Sequence, residues 1–249
     1  MGRPRTLSVS AGLVTGAAVA ALGGAAGYVA LRQPPAAARF LARQSVVVVA
    51  APATRPAVAI TLDDGPSAAL TPALLDVLRQ HEARATFFVL GSSVEAHPEA
   101  VADAHAAGHE IGNHGWLDRP AALLSRAELR RDLHRTGRAI SEVTGAEPRL
   151  MRPGSGWLRP GQLLDVRAQG FTVVLGSVAT FDLRVADLGR EVRFVADRLQ
   201  PGAVVVLHEG VADRAGVVDL LDGVLTAAEC QGLATVTVSD LLGAGAQRG

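Results

Sequence analysis

Lysine is absent from this 249-residue chain: all 24 basic residues are arginine, a compositional bias to which no function attaches, and they are balanced by 24 acids. With no net charge, nothing marks a nucleic-acid surface. Cysteine is nearly absent as well. Cys230 stands alone, which excludes an internal disulfide and any cysteine-rich zinc site. It falls in a helix-like stretch without an adjacent histidine and is expected to be a small buried apolar residue rather than a nucleophile. No Gly-x-Gly-x-x-Gly run, phosphate loop or Gly-x-Ser-x-Gly elbow occurs, so nucleotide binding and serine hydrolysis lack support. What is present is apolar: 49% of the residues, enough for a sizeable core. The length suits one large domain, and α/β barrels are a usual single-domain case at this size.

Residues 1–32 are expected to lie outside the fold. Arg3 and Arg5 precede an uncharged run, Thr6 to Leu31, with the form of an export signal or membrane anchor. The run exceeds the roughly 20 residues needed to cross a bilayer, which favours an anchor. Its glycines and the arginines beyond it weaken that reading, and Ala36-Ala37-Ala38 offers a cleavage region. The expectation is an extracytoplasmic protein, secreted or held at the membrane by this segment. Residues 33–55, with prolines at 34, 35 and 52 and another at 56 just beyond, read as a linker in which Val46 to Val49 could form a short strand.

The remaining domain, residues 56–245, alternates β-branched runs with helical patterns. Strands are predicted at Ala57–Leu62, Ala85–Leu90, Phe171–Leu175, Ala203–Leu207 and Ala234–Val238, with shorter ones near Glu110–Ile111 and Arg149–Met151. Helices are predicted over about 71–81, 95–107, 126–143, 160–169, 187–199 and 214–230. Such alternation argues for a parallel sheet with covering helices. Periodicity does not separate an open doubly wound sheet from a closed barrel, but both place a site at the carboxyl ends of the strands.

Thr61-Leu62-Asp63-Asp64-Gly65-Pro66 ends the first long strand. By itself it reads as a turn, because Asp, Gly and Pro are the commonest turn formers. Two neighbouring carboxylates disfavour joint ionisation unless a cation offsets them. One carboxylate on a metal with the other left as a base would resolve that conflict. Further along come Gly108-His109-Glu110-Ile111-Gly112-Asn113-His114, then Arg152-Pro153, Gly170 to Leu175, and Val206-Leu207-His208. In this order the segments resemble the motifs of the polysaccharide deacetylases with a NodB-homology domain, carbohydrate esterase family four. The resemblance implies a distorted, incomplete (β/α) barrel and a metal-dependent hydrolase that removes N-acetyl groups from a cell-wall or extracellular glycan.

Carried over by position, Asp63 is the general base and Arg152 its cationic partner, a role suited to the always-charged planar guanidinium. Asp64 and His114 are metal ligands. The family's next ligand is a histidine four residues after His114; here that position is Asp118, which can also bind a divalent ion. The alternative for Asp118 is a solvated turn residue before Arg119-Pro120, with Arg119 as its partner. One histidine and two carboxylates leave zinc the expected metal and admit manganese, cobalt or iron. The Ser155 amide would bind the oxyanion, although the family has a second proline and an aromatic where this chain has Gly154 and Ser155. Trp157 is either a sugar-stacking platform or a half-buried core aromatic. His208 is the general acid. The acidic partner that tunes it in the family is replaced by Ala179, leaving Asp182 or Glu209 for that role.

His109 is expected to pin a turn, and His81, His97, His105 and His134 to be solvated. Two rival functions remain open. The departures at Asp118, Ala179 and Leu183 suit a glycan-binding pseudoenzyme. The same chemistry would also suit an O-acetyl esterase or another C–N hydrolase.

Overall fold

The computed structural model describes residues 47–52, 54–180, 187–210 and 216–243. The expected signal or anchor, Asp182 and Leu183 lie outside the described residues. Among those described, no helix is long and apolar enough to cross a membrane.

The described strands form one all-parallel sheet. They are β1 (Val47–Val48), β2 (Ala57–Asp63), β3 (Ala85–Val89), β4 (Glu110–Asn113), β5 (Leu150–Met151), β6 (Thr172–Val174), β7 (Val178–Ala179), β8 (Val204–His208) and β9 (Ala234–Val236). Their order is β1-β6-β5-β4-β3-β2-β8-β7, with β9 pairing β2 off this path. Helices α1 (Thr71–Gln80), α2 (Gly91–Ala96), α3 (Pro98–Ala106), α4 (Arg126–Thr144), α5 (Pro160–Ala168), α6 (Leu188–Ala196), α7 (Gly216–Cys230) and α8 (Val238–Leu241) occupy the crossovers and the end of the domain. The result is the expected incomplete (β/α) barrel, a curled sheet with helices around it.

β2 is the centre of the sheet. All seven of its residues are buried. Its last four residues pair with β3, Ala59 to Asp63 pair with β8, and its first three pair with β9. A strand enclosed on both faces and both edges reads as a continuous apolar run rather than an alternating one, as Ala57–Leu62 does.

The structure departs from the sequence reading in several places. The helix expected over 95–107 is two helices, broken at His97 because Pro98 starts a new one, where its missing N–H is not needed. The last strand stops at Val236: Thr237 caps α8, its side chain accepting from the Asp240 N–H. β7 was not foreseen. The end of the expected linker joins the sheet, since β1 pairs with β6 and the Ala51 N–H donates to the Gly202 carbonyl at 2.8 Å. Cys230 is exposed, contrary to expectation. α7 buries Val217, Leu220, Leu221, Val224, Leu225 and Ala228, and position 230 falls off that stripe. His81 is not simply solvated either. It bridges α1 to α7 through Glu229 at 2.7 Å and Asp222 at 2.9 Å, and these carboxylates raise its pKa above the ordinary value despite partial burial.

Candidate active site

Four of the expected residues sit at the carboxyl ends of neighbouring strands. Asp63 ends β2 and His208 ends β8, where the two are directly paired in register. His114 follows β4, and Arg152 follows β5. Parallel strands in register deliver such side chains to one rim of the sheet.

At the end of β2 the backbone turns sharply. Asp64 has φ 71°, a left-handed conformation that aspartate tolerates better than most residues. That turn breaks the alternation of side chains along the strand, so both carboxylates face the same region. Asp63 is 2% exposed, and the Arg152 Nη1 donates to its Oδ1 at 2.5 Å. Arg152, itself buried, is held through Nη1, Nε and the face of its guanidinium. Nη1 also donates to Thr61 Oγ1 at 2.7 Å, Nε donates to the Val174 carbonyl at 3.1 Å, and the guanidinium lies 4.2 Å above the Phe88 ring. Its Nη2 has no hydrogen-bond partner among the described residues. The Thr61 hydroxyl donates in turn to the Val205 carbonyl at 2.7 Å, tying β2 to β8 beneath the site.

His114 is oriented just as tightly. Its backbone N–H donates to the Val89 carbonyl, and the preceding Asn113 side chain spans from the Leu133 carbonyl to the Gly115 N–H. The ring Nδ1 lies 2.8 Å from the Arg152 carbonyl, which can only accept, so Nδ1 carries a proton. A neutral ring then presents its Nε2 lone pair to Asp64 Oδ1, 3.3 Å away. Two acceptors at that distance repel unless a proton or a cation lies with them. Burial opposes a charge on the ring, but Asp63 and Asp64 outweigh it and raise the pKa above the usual histidine value. A carboxylate beside an imidazole whose other nitrogen is fixed by a carbonyl is a donor pair that fits a divalent metal.

The third expected ligand is less enclosed than these two. Asp118 is exposed, and among the described residues no three His, Cys, Asp or Glu side chains gather closely enough to hold an ion. Its alternative partner is committed elsewhere: Arg119 bonds Asp132 at 2.8 Å.

The loop after β5 explains the departure at position 154. A Cβ on Gly154 would lie 2.2 Å from the Arg119 carbonyl oxygen, so neither proline nor any side chain fits. Ser155 takes φ 61° in the short turn Gly154–Gly156, and Trp157 beyond it is 49% exposed.

Glu209 has an environment the sequence does not reveal. It is fully buried, and its Oε2 accepts from the Thr71 hydroxyl at 2.8 Å. Burial pushes its pKa up to about 8, with Asp64 adding to the effect and the Thr71 hydroxyl opposing it. His109 behaves as expected: its Nδ1 accepts from the Ala85 N–H at 3.2 Å, pinning the start of β3. Burial, reinforced by Arg84, lowers its pKa to about 4. His105 and His134 are exposed.

Known proteins resemble this chain in sequence and in fold. A family model described as polysaccharide deacetylase matches residues 50–174. The peptidoglycan-N-acetylglucosamine deacetylase of Bacillus cereus is 37% identical over 187 residues, covering 74% of this chain and 87% of that protein. The corresponding enzyme PgdA of Listeria monocytogenes is 34% identical over 190 residues, and there the match spans 76% of this chain but only 40% of the relative. Among solved structures, the Bc1960 peptidoglycan N-acetylglucosamine deacetylase superposes with a TM-score of 0.78 at 30% identity, over 81% of this chain and 95% of that one. A family 4 acetyl xylan esterase from Clostridium thermocellum, in complex with a cobalt ion, gives 0.71 at 26% identity, over 76% and 91%. The Bacillus anthracis pseudoenzyme BA3943 gives 0.73 at 24% identity, over 80% and 69%, and so shares the fold. On the family match and the Bacillus cereus relative together, this chain belongs to the polysaccharide deacetylase family.

Proposed function

We propose that the protein is a metal-dependent hydrolase that removes N-acetyl groups from an extracytoplasmic glycan, with peptidoglycan or a chitin-like polymer as substrate class. The observation that carries this reading is the environment of Asp63. A buried carboxylate is bonded to a buried arginine and lies beside the Asp64–His114 pair, with His208 opposite it in the adjacent strand.

Asp64 and His114 would hold the cation, with Asp118 as the third ligand. Zinc is the preferred ion, and manganese, cobalt or iron would also suit two carboxylates and one imidazole. When bound, the ion supplies Lewis-acid polarisation of the acetyl carbonyl and acidifies water. Asp63 takes a proton from the attacking water. Arg152 aims Asp63 through the bond from its Nη1. The Ser155 N–H donates to the oxygen that gains charge as the carbonyl becomes tetrahedral. His208 gives a proton to the amine as the C–N bond breaks, so that acetate and a free amino sugar result. Asp182 is the candidate for tuning that histidine, because the Glu209 carboxyl group is turned to Thr71 instead, and Trp157 is exposed enough to stack on a sugar ring. The N-terminal run would export the domain or anchor it at the membrane.

A second reading, a glycan-binding chain without turnover, draws support from exposed Asp118 and from Ala179 on β7. Acetate release from acetylated chitin oligomers, peptidoglycan and acetylated xylan, each with and without a chelator, separates the two. Release that a chelator abolishes is expected, and the preferred polymer reports N- against O-deacetylation. Release that ignores the chelator would overturn the mechanism. No release from any polymer with metal supplied would leave the binding module.

A further inference from the structure

We propose that Glu209 is a positioning residue: its side chain braces the Asp63-Asp64-Gly65 turn from behind and so fixes Asp64 relative to His208. The inference rests on the deacetylase reading for its kinetic consequence, but the brace itself is geometric.

Glu209 follows His208 directly, and it is joined to the turn twice. Its backbone N–H donates to the Asp63 carbonyl at 3.0 Å, extending the β2–β8 pairing by one bond beyond the end of β8. Its carboxyl group then folds under the turn. Oε2 accepts from the Thr71 hydroxyl at 2.8 Å, and the same hydroxyl oxygen accepts from the Ser67 N–H at 2.8 Å. The segment from Asp64 to the start of α1 is therefore bracketed at both ends by one residue.

Gly65 shows how close the fit is. A Cβ there would lie 1.6 Å from Glu209 Oε1 and 2.4 Å from its Cδ, and the three nearest heavy atoms all belong to Glu209. Gly65 does not adopt a positive φ. Glycine is needed at this position because the carboxyl group occupies the space, not because of the backbone conformation. Oε1 makes no hydrogen bond among the described residues although it is buried. Leaving a polar atom unsatisfied costs stability, so an apolar residue of similar size would be the better choice for packing alone. Glutamate instead gives the shape that fills the hollow and the acceptor that holds Thr71.

The test uses the full chain, with Glu209→Gln, Glu209→Ala, Thr71→Val, Gly65→Ala and the double variant Gly65→Ala/Glu209→Ala. Two signals are read: kcat and KM on acetylated chitin oligomers, and the imidazole resonances of His114 and His208 in histidine-labelled protein. Glu209→Gln keeps the shape and the acceptor, so both signals should stay near wild type. Glu209→Ala should lower kcat about tenfold or more with KM little changed, as a small misplacement of reacting groups does, and should move the resonances. Gly65→Ala should do the same, and the double variant should be no worse than Glu209→Ala, because the added methyl enters the space the carboxyl vacated. If Glu209→Ala does not fold, Thr71→Val, which removes the bond to Oε2 together with the one from the Ser67 N–H, should shift the same resonances. Unmoved resonances in Glu209→Ala, equal losses in Glu209→Ala and Glu209→Gln, or additive losses in the double variant would each overturn the brace. Absence of acetate release from the wild type would instead remove the deacetylase reading, and the resonances would still decide the brace.

Discussion

The carbonyl of Arg152 accepts the Nδ1 proton of His114 at 2.8 Å, while the side chain of the same arginine bonds Asp63. One residue thus orients a candidate metal ligand through its backbone and the candidate base through its guanidinium. The two halves of the site are mechanically joined at Arg152.

Removing that guanidinium should be costly twice over. Arg152→Met leaves Asp63 buried without its ionic partner, and breaking a buried pair typically costs about 3–5 kcal/mol. Chemical denaturation should register the loss, and acetate release should fall along with it. Wild-type stability in Arg152→Met would show that the ion pair does not hold this corner of the fold.

Asp63→Asn tests the base directly. Loss of general-base catalysis is expected to lower kcat by about 10²- to 10⁴-fold. Cation content, measured by elemental analysis, should be little changed, because Asp64 and His114 remain. Full turnover by Asp63→Asn with its cation present would remove Asp63 from the mechanism.

Asp118 distinguishes the ligand set. Calorimetric titration with zinc should show Asp118→Ala binding about tenfold or more weakly than wild type, the lower end for losing a group that supports a metal site. Asp118→His, which restores the family's usual residue, should bind at least as tightly as wild type. Identical affinities in all three proteins would mean that Asp118 is a solvated turn residue and that the ion relies on other groups.

Two histidines should give the stability opposite pH dependences. His109 has a folded pKa of about 4 against an ordinary 6.5, so below 6.5 the unfolded chain takes up a proton that the folded chain refuses. Its contribution is complete above 6.5 and is lost as pH falls toward 4, on the order of 2 kcal/mol once solvent screening is allowed for. His81 is raised, so its contribution is complete below 6.5 and is lost as pH rises through its folded pKa. Denaturation midpoints at several pH values should lose the first trend in His109→Phe and the second in His81→Gln.

Asp63 and His208 were legible in the sequence because each closes an apolar run, so strand, end and polar residue are visible together. His114 and Arg152 were placed by the order of the family's motifs, and the sheet brought all four to one rim. Features set by pairs distant in the chain were not legible. Glu209 reads as the residue after a histidine, and only the fold shows it filling the space over Gly65. His81 reads as a polar helix residue, and its two carboxylate partners lie on α7. The exposure of Cys230 was readable in principle: counting the 3.6-residue period of α7 places it off the apolar stripe. The breaks at Pro98 and Thr237 also carried signals, a proline suited to a first helical position and a capping threonine.

Asp63 ends, and Asp64 directly follows, β2, the strand that is buried along its whole length and hydrogen-bonded along both edges. Its amides should be among the last in the protein to exchange with deuterium, since they open only with the whole domain. Trp157, by contrast, is half-exposed and follows the Gly154–Gly156 turn outside that framework. Such a division lets loop sequence drift toward a new polymer while the carboxylates stay where they are.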